Sequence, residues 1–131
     1  VFEFNYRDFA VNTELEKLQA VFDSLHDAIF IDFSFDWETS LLIVRCKPCD
    51  FCEYKQGRLK ILEIHALSVL SLSITQKNDW GPSVFIYEVK LSAANHADVL
   101  SIGIQSGDVM LIEAKSFSYR MTTCPEFKEF N

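Results

Sequence analysis

Glycine is scarce in this chain, four among 131 residues, and none of it gathers into a Gly-rich loop. A backbone cradle for phosphates is therefore excluded. Basic residues are outnumbered, 12 Lys and Arg against 19 Asp and Glu, for a formal charge of −7. That disfavours nucleic acid and anionic membrane surfaces, whose phosphates need Lys and Arg. It favours a basic partner, because opposite fields speed and orient association. No apolar run approaches the roughly 20 residues that cross a bilayer. The longest candidate, residues 59–74, is broken by Lys60, Glu63, His65 and serines. The opening Val-Phe-Glu-Phe-Asn-Tyr-Arg-Asp lacks the basic start and apolar stretch of a signal peptide. No Gly-x-Ser-x-Gly elbow is present. The expectation is a soluble, cytoplasmic protein that is not an enzyme.

What the chain has is alternation. Hydrophobic residues make up 49% of it and phenylalanine alone contributes twelve, which suits a packed core and argues against disorder. Ile29-Ile31-Phe33-Phe35, Leu70-Leu72-Ile74, Phe85-Tyr87-Val89-Leu91 and Leu100-Ile102-Ile104 place apolar side chains on every second residue, one face of a pleated strand. Strands are expected at 28–36, 40–46, 58–65 with 68–75, 83–91, 97–105 and 108–119. At about 3.3 Å per residue, 58–75 is too long for one ordinary strand and calls for a bend near Ala66-Leu67-Ser68. Gln105-Ser106-Gly107-Asp108 reads as a tight hairpin, since glycine takes a positive φ cheaply. Pro82 starts or precedes its strand, because it cannot donate to a ladder.

Ahead of the strands, Thr13-Glu14-Leu15-Glu16 fits a capping box. Leu15, Leu18, Phe22 and Leu25 follow at helical spacing as one apolar, core-facing stripe. Phe2, Phe4 and Tyr6 alternate in a possible short edge strand. The expected fold is α+β: one N-terminal helix (13–25) packed on an antiparallel β-meander of about six strands (28–119), within a single domain. An aromatic segment (1–12) precedes it and a tail (120–131) follows. No internal repeat is visible.

Three clusters invite chemistry. Cys46-Lys-Pro-Cys49-Asp-Phe-Cys52, with Cys124 far downstream, resembles the spacing of cluster-binding and zinc-binding loops. Against this, no second C-x2-C pair exists and Cys46 runs in phase with apolar Leu42 and Val44. Free cysteine packs as a small hydrophobe, and no metal or cofactor is expected. His26-Asp27 suggests a phosphohydrolase pair, but His65 and His96 fall in strand-rich segments without matching partners. The pairs Glu14/Glu16 and Glu126/Glu129 read as solvated charge.

The aromatics are more suggestive. Trp37 lies between Asp36 and Glu38 at a hairpin tip, and Trp80 follows Asp79 in another loop. Tryptophan is enriched at binding hot spots and acidic neighbours supply steering. The competing reading is that each Trp folds back to cap an open end of the sheet. If successive turns alternate between the sheet's ends, those at 36–39, 76–82 and 105–108 share one end. Asp36, Trp37, Glu38, Asp79, Trp80 and Asp108 would then form an acidic rim about two aromatics, with Lys77 their only basic neighbour.

Four pieces in order, Leu25-His26-Asp27-Ala28, the bent segment 59–75, Trp80-Gly81-Pro82-Ser83 and Ile104-Gln105-Ser106-Gly107-Asp108-Val109, resemble immunity proteins. These are small bacterial proteins encoded beside polymorphic or contact-dependent growth-inhibition toxins. The resemblance covers roughly residues 25–115. It implies a non-enzymatic inhibitor that binds a cognate, basic toxin domain, commonly a nuclease, and masks its active or substrate-binding site. The alternatives are a metal- or Fe–S-binding protein using the Cys46-Cys49-Cys52 loop, and a small-molecule binding or regulatory β domain.

Overall fold

The computed structural model describes residues 15–48, 59–77 and 85–124. The expected edge strand at 1–12, Thr13 and Glu14 of the capping box, Pro82, and residues 125–131 of the tail lie outside the described residues. The helix α1 runs over 15–23, and its stripe turns inward: Phe22 and the following Leu25 are fully buried, with Leu18 partly so. Leu25 and Ala28 close its end through N–H bonds to Phe22 and Leu25 carbonyls. Asp27, at φ 70°, then turns the chain into the first strand.

Six strands follow: β1 (Ile29–Asp36), β2 (Leu41–Lys47), β3 (Leu59–Ile74), β4 (Ile86–Ala93), β5 (Asp98–Ile104) and β6 (Val109–Cys124). They form one antiparallel sheet in the order β1-β2-β3-β6-β5-β4, with α1 packed on one face. The α+β architecture is that expected from the alternation. The connectivity is more particular: β4 does not lie beside β3, because β6 takes that place. Two three-stranded meanders, β1–β3 and β4–β6, are joined by the long β3–β6 ribbon.

Both ribbon strands are 16 residues long. The segment 59–74 is thus a single strand, and its bend is where the sequence asks for one. Ser68 has φ 56° and the register slips between Val69 and Ser71. β6 extends past its expected end at 119, because its last residues pair with the first half of β3, Leu59 opposite Cys124 and Leu62 opposite Met121.

The two meanders match strand for strand. β1 and β4 have 8 residues and β2 and β5 have 7. Phe30 pairs with Cys46 before a register break that ends at Asp32; Ile86 pairs with Ile104 before one that ends at Glu88. Leu42 opposite Ala66 corresponds to Leu100 opposite Ile112. Such correspondence, with both sets facing the core, is what a pseudo-two-fold axis perpendicular to the sheet produces. Sequence shows no repeat because the counterparts share apolar character rather than identity.

Leu42, Val44, Cys46, Leu62, Ile64, Leu100, Ile102, Met110 and Ile112 form the core with Phe22 and Leu25. The sheet curls until the starts of its edge strands meet: Ile29 bridges Phe85, and Ile86 N–H donates to the Ala28 carbonyl at 2.7 Å. The opposite face carries a charged row across four strands, Asp32, Arg45, Glu63 and Arg120. Arg45 Nε donates to Asp32 at 2.8 Å, and that bond raises the guanidinium pKa further.

Candidate protein-binding site

The β1–β2 hairpin tip is built by its own acid. Asp36 Oδ1 accepts from the Glu38 N–H at 2.9 Å and the Thr39 N–H at 3.5 Å, which tightens the turn. Ser40 completes it in the left-handed region, φ 55°. This geometry throws Trp37 outward: its side chain is 84% exposed and leans edge-to-face on Phe35, ring centroids 4.9 Å apart. Trp37 does not fold back over the sheet.

Beside Trp37 the sheet has a step. β2 pairs with β3 only as far as Ala66, and one further bond, Val69 N–H to the Ser40 carbonyl at 3.0 Å, ties the turn to the bend. Beyond it β3 runs on without β2, leaving Leu70, Leu72 and Ile74 exposed. The step forms an open groove of about 370 Å³ between Phe35, Trp37 and Ser40 on one side and Val69, Leu70 and Leu72 on the other. Its lining is apolar and hydroxylic, and Asp36 and Glu38 stand exposed beside it on the turn that carries Trp37.

Of the residues singled out from sequence, the structure brings Asp36, Trp37 and Glu38 together at this tip. Asp108 sits elsewhere. It is 1% exposed, and its carboxylate accepts from Thr75 Oγ1 at 3.0 Å, Lys77 N–H at 2.8 Å and Ser106 Oγ at 3.0 Å. That carboxylate clamps the β5–β6 turn to the exit of β3, so Asp108 does not belong to an exposed rim. Turns 36–39 and 105–108 do open at the same end of the sheet, because β1 and β5 run in the same direction, but they are staggered along it. The half-strand 69–74, about 20 Å of extended chain, separates them. Lys77 belongs with the 105–108 turn. Asp79 and Trp80 lie outside the described residues.

Cys46 is fully buried between Leu42 and Val44 of the same face and the β1 residue Phe30, and burial pushes its thiol up to about 12. A thiolate ligand needs the opposite shift. Cys49 and Cys52 lie outside the described residues. His26 and Asp27 are exposed and 3.7 Å apart; His26 Nδ1 donates to the Tyr87 carbonyl at 2.6 Å, pinning α1's exit to β4. Among the described residues, no group of three His, Cys, Asp or Glu side chains is placed to hold a metal ion, and no helix is long and apolar enough to cross a membrane.

The groove residues Phe35, Leu70 and Leu72 were visible in sequence only as strand alternation. That they border a step, where one strand outruns its neighbour, is a property of register.

No family model matches the chain, and no curated protein matches its sequence. Among solved structures it is similar to an uncharacterized protein from Neisseria gonorrhoeae, with TM-score 0.54 and 14% identity, over 72% of this chain and 91% of that one. At that identity the likeness concerns the fold.

Proposed function

We propose that this chain is an immunity protein: it binds a cognate bacterial toxin domain, a nuclease, and neutralises it by masking the active or substrate-binding site. The observation that carries the reading is the hairpin tip, where a Trp 84% exposed stands between two exposed carboxylates beside an apolar groove. A tryptophan so placed gains most of its burial on binding, and the acids orient a basic partner before contact. A nuclease cleft is basic because its substrate is a polyanion, and a chain of charge −7 complements it. The ordered resemblance over roughly residues 25–115 points the same way. Inhibition of this kind needs shape and charge but no catalytic group of its own.

Co-expression with the toxin domain encoded immediately upstream is expected to restore growth, and the two proteins are expected to co-purify. Soluble expression of both without protection overturns the function. Charge reversal at Asp36 and Glu38 is expected to slow association and weaken its salt dependence. Trp37→Ala is expected chiefly to speed dissociation, by about 2 kcal/mol. If both variants bind at wild-type rates, the interface is elsewhere, with the charged outer face next in line.

A further inference from the structure

The pseudo-symmetry identifies what the groove accommodates. Phe117 pairs with Ala66, and its counterpart Leu72 pairs with Ile112, the counterpart of Ala66. Likewise Phe33 opposite Val44 on β1 matches Val89 opposite Ile102 on β4. The paired positions are alike in chemistry and unlike in cover. Val89 is 3% and Phe117 6% exposed, whereas Phe33 is 38% and Leu72 36%. The difference is α1. Its Leu18 and Val21 border one hollow with Phe117, while Tyr119 at the rim of that hollow stays exposed. Its Gln19 grips the edge of β4, Nε2 donating to the Val89 carbonyl at 2.9 Å and Oε1 accepting the Leu91 N–H at 2.7 Å. The β1–β3 meander presents the same kind of flank with no helix of this chain on it among the described residues.

We infer that the flank bounded by Phe33, Phe35 and Trp37 on one side and Val69, Leu70 and Leu72 on the other is a docking groove for an amphipathic helix from a partner protein, seated as α1 is seated on the other meander. The partner helix carries an apolar stripe at i, i+3, i+4 and i+7 to cover Leu72 and Phe35. Lys or Arg borders that stripe, because Asp36 and Glu38 stand beside the groove and no cation lines it among the described residues. The counterparts of the two backbone groups held by Gln19 are the Phe33 carbonyl and the Phe35 N–H, which a Gln on the incoming helix matches. The site is the one used in the proposed function, but the probe below is not a toxin, so either idea can fail while the other stands.

The test is titration of the full-length ¹⁵N-labelled protein with a synthetic 14-residue helical peptide bearing a leucine stripe and flanking lysines. Two siblings serve as comparisons, one with glutamates for the lysines and one with a central proline that breaks the helix. Expected are amide shifts confined to residues 33–40 and 69–74 and binding at least about tenfold weaker for both siblings. The gap between the Lys and Glu peptides should close with added salt. Leu72→Asp, with an unchanged spectrum away from the groove, is expected to weaken the Lys peptide by a similar factor. Shifts centred on Lys17, Leu18 and Tyr119 or on the outer face overturn the inference. So does equal binding of the proline peptide, which would mean an extended strand occupies the edge. Concentration-dependent shifts at 33–40 and 69–74 without peptide would mean that a second copy of the chain is the occupant, and would overturn it as well.

Discussion

Counterpart positions in the two meanders are equally apolar but unequally covered: Val89 and Phe117 lie under α1, while Phe33 and Leu72 open to solvent. Phe33 is larger and no less hydrophobic than Val89, so composition does not decide which is buried. What decides it is the side on which α1 happens to lie. The core, by contrast, ignores the asymmetry. Leu42 and Leu100, Val44 and Ile102, and Cys46 and Ile104 are all buried, because the curled sheet encloses both sets. The molecule is therefore symmetric where it holds together and asymmetric where it meets its surroundings.

The strongest way to break this comparison is to hollow both halves. Leu42→Ala and Leu100→Ala each remove a fully buried side chain from a matched site, and each is expected to cost about 2–5 kcal/mol in urea denaturation. Equal costs within one cooperative transition support a shared core; a second transition in either variant would mean that the meanders unfold separately.

Next in size is the contact that makes the flanks differ. Gln19→Ala removes both bonds to the β4 edge and is expected to cost about 1–2 kcal/mol, with faster hydrogen exchange at the Leu91 amide. No change at Leu91 would show that α1 is held by its apolar stripe alone.

The smallest effect separates Cys46 from its counterpart Ile104. Burial raises the Cys46 thiol from 9.0 to about 12, so it stays protonated when the unfolded chain has ionised. The unfolded state then binds fewer protons, and stability is complete below pH 9 and declines as pH climbs toward 12. At pH 10 the loss is about 1 kcal/mol. Cys46→Val is expected to remove that part of the alkaline sensitivity, read as the difference between the two proteins' denaturation curves at pH 8 and pH 10. Identical declines would show that the thiol is not sealed from water.

Much of this was legible in the chain. The inward phase of Leu42, Val44 and Cys46, the helical stripe of Leu18, Phe22 and Leu25, and the bend at Ser68 all follow from local spacing. Gly107, at φ 98°, closes the β5–β6 turn as a glycine there should. Local spacing does not report which strands are neighbours. The pairing of β3 with β6 brings together residues some 35 to 65 positions apart, and several later facts descend from it. It places Thr75 beside Asp108 and so turns an apparent surface acid into a buried clamp. It draws β6 out to Cys124. It also leaves the second half of β3 running past β2, which creates the groove. Asp36, Trp37 and Glu38 were readable as a tip because they are contiguous; Leu70 and Leu72 were not readable as its neighbours.

The stitch between the edge strands has a consequence for the protein's behaviour in crowded solution. An open sheet ordinarily offers two rows of unpaired backbone groups on which other chains can polymerise. Here Asp27, Ala28 and Ile86 exchange hydrogen bonds and Ile29 meets Phe85, so the starts of β1 and β4 close on one another. At that corner a growing fibril finds no free template, although Ile31 and Phe33 stand exposed further along the same edge.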